Sequence, residues 1–354
     1  MQSIPWSPLG ASPWPSPVCP PVVELPAHAD AVIVGAGVTG LSAALRLAAA
    51  RRGIVVLDRA FGNGAACRSG GIVTGDTLVG PAPGFEDCDQ DLRSWIVTHG
   101  IRGGLEWQGC VELDRDAARA KRPIDWRDAG VVRARGVVSG GTLDPAGLVE
   151  GLAREAHARG VRFVNGIDVQ SVTPRRTHVT IATSGGAVSA PAVIVATDAA
   201  ARLPDADPWP VRALTVVIET SEPSPAALTR SGWPESQPFY TNDLPLLWGR
   251  RLPTGGLLVG RELLPDVDRD ATEPTRAIHA AGLRLHARVR GLHPALVDLS
   301  VVRVWAGPIA RTTAGVPTLH IDPEFPNLVW AGGYGGHGLA QAFRMGRRAA
   351  EAIS

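Results

Sequence analysis

A hexapeptide near the start of the chain, Gly35-Ala36-Gly37-Val38-Thr39-Gly40, limits the fold more than any other feature. It follows the apolar run Ala31 to Val34 and opens a helix-patterned stretch, Val38 to Ala50. A parallel strand that turns at once into a helix leaves no room for side chains at the turn. The helix N-terminus then offers unpaired N–H groups to a pyrophosphate. Gly53 to Leu57 reads as a second strand ending at Asp58, where a ribose-binding acid should fall. Strand, glycines, helix and acid together predict a bound dinucleotide and make a redox cofactor the first question.

Length and charge narrow the class. At 354 residues the chain has room for one large core or two domains. Thirty-five Lys+Arg against 34 Asp+Glu give a net charge of +1, so nothing points to nucleic acid, and small molecules are the expected partners. Lys121 is the only lysine, which disfavours Schiff-base chemistry. Cys19, Cys67, Cys88 and Cys110 show no CxxC spacing and the nine histidines are scattered, so a reducing compartment and no metal are expected. No apolar stretch approaches 18 residues and no basic residue precedes Arg46, so neither a membrane span nor a secretory signal is expected, and a cytoplasmic location follows by default.

The pattern divides into an α/β part built from separated segments and an α+β part. Residues 1–29 hold eight prolines with Trp6 and Trp14, an arm that is either a disordered leader or an extended strap packed on the body. Asp144-Pro145 starts a capped helix with Leu148, Leu152 and Ala156 on one face and Gly160 as its stop. Val161–Val164 and Val169–Val172 read as strands, and Val179–Ala182 with Ala187–Ala190 as a hairpin. Val193–Ala196 reads as a strand buried on both faces. From Trp209 the pattern changes to strands and loops around one long helix, Pro274 to Arg290. At the end stand a strand, Leu328–Ala331, a loop, Gly332 to Gly338, and a closing helix, Leu339–Ile353. The expected division is a Rossmann-like nucleotide domain from 1–85, 140–208 and 305–354, and a substrate domain with a mixed or antiparallel sheet from 86–139 and 209–304.

These blocks resemble the FAD-dependent oxidoreductases similar to D-amino acid oxidase, glycine oxidase and gamma-glutamylputrescine oxidase. Gly64-Ala65-Ala66-Cys67-Arg68-Ser69-Gly70-Gly71 looks like the family's second loop along the flavin, with Cys67 and Ser69 as departures. Val195-Ala196-Thr197-Asp198-Ala199, Trp305-Ala306-Gly307-Pro308 and Gly332-Gly333-Tyr334-Gly335-Gly336-His337-Gly338-Leu339 complete the set in order. The resemblance implies FAD held by Gly35, Gly37, Val38, Thr39 and Gly40 at the first turn, and by Asp58 and Arg59 after the second strand. It adds Arg68, Ser69, Gly70 and Gly71 on the second loop, then Val169, Ala196 and Thr197. Trp305 and Gly307 follow, and Gly333, Gly335, Gly336, His337, Gly338 and Leu339 close the site. Backbone amides of the terminal loop and the positive end of its helix would face the edge of the flavin where hydride transfer leaves negative charge. An arginine stands where an early tethering histidine would be, and no cysteine follows Cys110, so the FAD is expected to be non-covalent.

Amino acid oxidases of this family grip the substrate carboxylate with an arginine soon after the Trp-Ala-Gly block, a place held here by Pro308-Ile309. The resemblance is therefore to the amine-oxidising branch. Tyr240 and Trp248 are expected over the flavin, Arg311 or Arg303 near the substrate, and His337 beside the ring. Oxidation of a small amine or N-substituted amino acid to an imine is the expected activity, with oxygen or another acceptor reoxidising the flavin. An NAD-linked dehydrogenase and a non-catalytic flavoprotein are the competing readings.

Overall fold

Strands form where β-branched residues run together, and helices where apolar residues recur every three to four positions. The computed structural model describes residues 9–50, 53–115, 122–128, 130–200, 211–234, 236–265 and 273–353; Trp6 and Lys121 lie outside them. In chain order the first half contains β1 (Ala31–Val34), α1 (Val38–Ala48), β2 (Ile54–Asp58), β3 (Ile72–Thr74), α2 (Cys88–Thr98), β4 (Cys110–Asp114), β5 (Arg122–Arg127), β6 (Val131–Val138), β7 (Gly140–Thr142), α3 (Pro145–Ala158), β8 (Arg162–Asn165), β9 (Val169–Pro174), β10 (Val179–Thr183), β11 (Gly186–Ala190) and β12 (Val193–Val195). The second half contains β13 (Val211–Thr220), α4 (Pro225–Ser231), β14 (Phe239–Thr241), β15 (Trp248–Arg251), β16 (Leu257–Pro265), α5 (Glu273–Leu292), β17 (Val301–Arg311), β18 (Thr318–Ile321), β19 (Leu328–Gly332) and α6 (Gly338–Ala352).

The first sheet runs β18-β19-β12-β1-β2-β8, parallel throughout except for β18 at its edge. All four residues of β1 are buried, as a strand covered on both faces requires. Helices α1, α2, α3 and α6 cover one face with a core that includes Ile33, Leu41, Leu92, Leu152 and Phe343. The antiparallel sheet β11-β10-β9 covers the other, packing Ile181 and Val188 against Val32, Val55 and Leu57. Asp144 caps α3 by accepting from Ala146 N at 2.9 Å. Gly346 lets α6 lie directly on α1, since a Cβ there would stand 2.2 Å from Thr39 O.

The second sheet, β17-β13-β16-β15-β14-β4-β6-β5, is mixed: β14 pairs with β4 in parallel and the other pairs are antiparallel. Helix α5 backs it, with Leu285 and Val289 in a core shared with Trp126, Phe239 and Val259. Two expected boundaries need correction. Helix α2 follows the break expected at residue 86, yet its Cys88, Leu92 and Ile96 belong to the first core. Strand β17 runs unbroken through residue 305, because its pairing with β13 continues from Val301 to Arg311.

From Leu9 onward the proline-rich arm is an extended strap. Ala306 N donates to Leu9 O (2.8 Å), Val23 N to Phe163 O (2.9 Å) and Ala29 N to Ser189 O (3.1 Å), so the strap touches all three large sheets in turn. Among the described residues, no helix is long and apolar enough to cross a membrane.

Candidate active site

Three glycines of the first turn serve three different ends. Gly35, at φ +105°, sits where a Cβ would be 2.7 Å from Ala196 O. Gly40 lies against Gly35 O, 1.9 Å from where its Cβ would stand, so it permits the turn to close. Gly37 has open space in the same direction. That space belongs to a cavity of about 960 Å³, near the upper end of the ~300–1,000 Å³ usual for small-molecule sites. Gly37, Val38 and Thr39 line it at the start of α1, and Gly338 and Leu339 line it at the start of α6. Two helix N-termini thus open on one cavity and supply free N–H groups and positive potential.

Asp58 also lines the cavity and is held in place from behind: Oδ2 accepts from Ala36 N at 2.7 Å and Oδ1 from Ala60 N at 2.8 Å. Arg59, Val169, Ala196 and Thr197 line the same end. Arg59 is 60% exposed and lies 3.9 Å from Asp168.

The second loop passes along the middle. Arg68 is buried, and its guanidinium donates to Ala306 O (2.7 Å), Leu9 O (2.9 Å) and Gly10 O (2.5 Å), so it binds the loop to β17 and to the strap. Trp14 Nε1 donates to Ser69 O at 2.8 Å, and Arg250 stacks over the Trp14 ring at 5.6 Å. Arg68, Ser69, Gly70, Gly71 and Gly307 line the cavity. The side chain of Cys67 is buried outside it, and burial, with Asp144 and Asp58 nearby, pushes the thiol up to about 12.

The terminal loop closes the far side. Gly335 and Gly336 adopt φ +61° and +96°, a region that disfavours side chains, and Gly336 opens onto free space. Thr39 Oγ1 and Tyr334 Oη lie 2.6 Å apart across 295 residues, a direct link between the two glycine segments. Asp198 Oδ1 accepts from Gly333 N at 2.8 Å; burial pushes this carboxyl up to about 6, against the backbone amides that favour its ionised form. His337 is half-buried, and burial lowers its pKa, opposed by Asp76 and the Gly335 backbone, so the ring is neutral at pH 7.

Tyr240 and Trp248 face each other in the β14–β15 register and line the cavity. Trp248 fits because of two glycines: a Cβ at Gly70 or Gly260 would come within 2.3 or 2.0 Å of its ring. Tyr240 Oη donates to Asp76 Oδ2 at 2.9 Å. Leu244, Leu246, Leu263 and Ile309 complete an apolar wall. Arg311 lines the cavity too, and among the described residues no side chain pairs with its guanidinium. Arg261 is otherwise committed: Asp128, 2% exposed, receives it at 3.0 Å together with Arg115 at 2.8 Å and Arg288.

Three expected cofactor residues lie off the cavity. Gly40 faces Gly35 O, as above, and Gly333 faces Asp198. Trp305 is fully buried under the strap and donates from Nε1 to Arg68 O at 3.0 Å, so it supports the second loop from behind. Arg303, an alternative substrate contact, instead pairs with Glu219 at 3.2 Å and donates to Ser12 O. Asp76 and the Leu244–Leu246 loop carry no motif and enter the site only through the fold, while Tyr334 lies inside the terminal glycine motif but is not among the expected site residues.

A strand, glycine turn and helix joined to a second glycine loop at another helix start define a dinucleotide-dependent redox protein. Residues 30–352 match the FAD dependent oxidoreductase (DAO) family, and the chain belongs to it: it is an enzyme whose cofactor is FAD. It is 24% identical over 385 residues to the "Probable oxidoreductase OrdL" of Haemophilus influenzae, covering 94% of this chain and 84% of that protein. Its fold is similar to that of glycine oxidase from Geobacillus kaustophilus, with TM-score 0.74 at 19% identity over 93% of this chain and 95% of that one. L-proline dehydrogenase from P. horikoshii gives TM-score 0.72 at 18% identity over 93% and 94% of the two chains. The residues present fit the cofactor, with two helix starts, the oriented Asp58 carboxylate, and open space at Gly37, Gly64 and Gly336 where side chains would intrude.

Proposed function

We propose that the enzyme oxidises the C–N bond of a small amine or N-substituted amino acid, the substrate α-carbon giving up hydride and an imine leaving. The observation that carries this reading is the character of the cavity wall on the mixed sheet. Leu244, Leu246, Trp248, Leu263 and Ile309 make it apolar, while Tyr240 and Arg311 supply polar contacts. Such a wall favours the neutral amine, the form that releases hydride, and holding it still accounts for most of the acceleration. Arg311 is free to grip the carboxylate of an N-substituted amino acid.

Bound FAD supplies the two-electron acceptor at N5. The amides of Gly336 and Gly338, with the positive end of α6, hold donors in place where negative charge collects, while the Gly335 amide is spent on Ala310 O at 2.8 Å. A neutral His337 adds a polar neighbour without a competing charge. The cofactor is non-covalent in this reading, since Arg68 is spent on three carbonyls and the nearby thiol of Cys67 is buried away from the cavity.

Anaerobic mixing with a panel of primary amines, secondary amines and N-alkylated amino acids tests the reading. Bleaching of the flavin band at about 450 nm is expected with at least one of them. Colour that persists with every C–N substrate overturns it. Acid precipitation should leave the yellow colour in solution, and stopped-flow mixing of the reduced enzyme with air then tells oxygen from another acceptor.

A further inference from the structure

Tyr240 lines the cavity, but its hydroxyl proton points away from it. A phenol has one proton to donate and lone pairs to accept with, whereas an ionised carboxylate only accepts. The 2.9 Å bond from Tyr240 Oη to Asp76 Oδ2 therefore consumes the single donor. What remains toward the cavity is an acceptor. Asp76 itself does not line the cavity; it stands behind the tyrosine. Its position is fixed from a third direction, because the fully buried Gln341 on α6 donates from Nε2 to Asp76 O at 2.5 Å. Burial and the adjacent carboxylate push the Tyr240 pKa up, so the phenol keeps the proton it donates.

We propose that Asp76 is a positioning residue that sets the polarity of the substrate pocket: by holding the Tyr240 proton, it makes Tyr240 Oη an acceptor for a substrate N–H and unable to donate to a substrate carboxylate. This rests on the C–N reading above and refines it by placing the nitrogen end of the substrate at Tyr240. The Asp76 charge acts in the same direction, favouring an N–H-bearing group and repelling an anion. Any carboxylate on the substrate must then be received elsewhere on the wall, and Arg311 is the cation available for it.

Two probes that share a tert-butyl group test the polarity. tert-Butylammonium, which delivers the neutral amine, has no α-hydrogen and is not oxidised, and pivalate carries a carboxylate on the same tert-butyl group. Both are titrated into the FAD-loaded enzyme and followed by perturbation of the flavin spectrum. The wild type should favour tert-butylammonium. Asp76→Ala frees the hydroxyl to donate and should move the affinity ratio toward pivalate by about tenfold or more. In a Tyr240→Phe background the same substitution should move it much less, because the group through which Asp76 acts is gone.

An unchanged ratio in Asp76→Ala, or an equal shift in both backgrounds, overturns the inference. Should Asp76→Ala fail to fold, Tyr240→Phe alone decides: it should weaken tert-butylammonium and spare pivalate, and the reverse would mean that Tyr240 was a donor. A wild type perturbed by neither probe also overturns it, since Tyr240 then offers no acceptor to the cavity. The amine bleaching panel reports separately on whether the C–N reading survives.

Discussion

Replacing Thr39 with valine and Tyr334 with phenylalanine, singly and together, measures the bond that joins the two halves of the flavin cradle. The hydroxyls lie 2.6 Å apart, on residues 4% and 6% exposed. Each single change keeps the shape but strands the other hydroxyl, at a cost of about 1–3 kcal/mol. Ionisation gives Tyr334 no escape, because burial raises its pKa. The double variant strands neither group, so its loss should fall short of the sum by about 1–2 kcal/mol. Urea unfolding of the FAD-loaded protein reads the stability. Recovery of free flavin fluorescence reads cofactor release, where 1.4 kcal/mol corresponds to about tenfold. Losses that add to within about 0.3 kcal/mol would refute the reasoning, since they would mean that the hydroxyls do not depend on each other.

Three further outcomes follow from the geometry. Gly260→Ala places a methyl 2.0 Å from the Trp248 ring and should cost about 1–3 kcal/mol by overpacking, seen as a lower thermal midpoint and a changed flavin spectrum. Trp14→Ala removes the donor to Ser69 O and uncovers Arg250, so stability should fall by about 2 kcal/mol or more and FAD should be released faster in a dilution assay. Asp198 has a folded pKa of about 6, above its ordinary 3.8, so the folded state holds the proton to higher pH. Its contribution is most favourable below about pH 4 and is lost as pH rises through 6, by at most about 3 kcal/mol. Urea midpoints measured from pH 4 to 7 should fall more steeply for the wild type than for Asp198→Asn.

Local chemistry explains what could be read from the chain alone. The β1–α1 turn, the Asp58 acid, the Asp144 cap and the buried run at β12 announce themselves because each is decided by neighbours within a few residues. The cavity lining at Tyr240, Trp248 and His337 was accessible through the resemblance of whole blocks. What could not be read depends on distant partners. Trp305 resembles a cofactor residue in sequence, yet the strap and the Arg68 loop cover it. Asp76 belongs to the site only because β14 lies where the residues after β3 pass, and no spacing along the chain encodes that meeting. The break expected at 305 failed for the same reason: the partner that extends β17 is β13, some 90 residues earlier, as in Ala213 against Ile309.

The bond between Thr39 and Tyr334 also orders events during synthesis. A nascent polypeptide that has delivered the first glycine turn but not yet Tyr334 displays only one jaw of the clasp, and the strap near Leu9 likewise waits for Ala306. Chains released from a ribosome stalled before Tyr334 should therefore come off colourless.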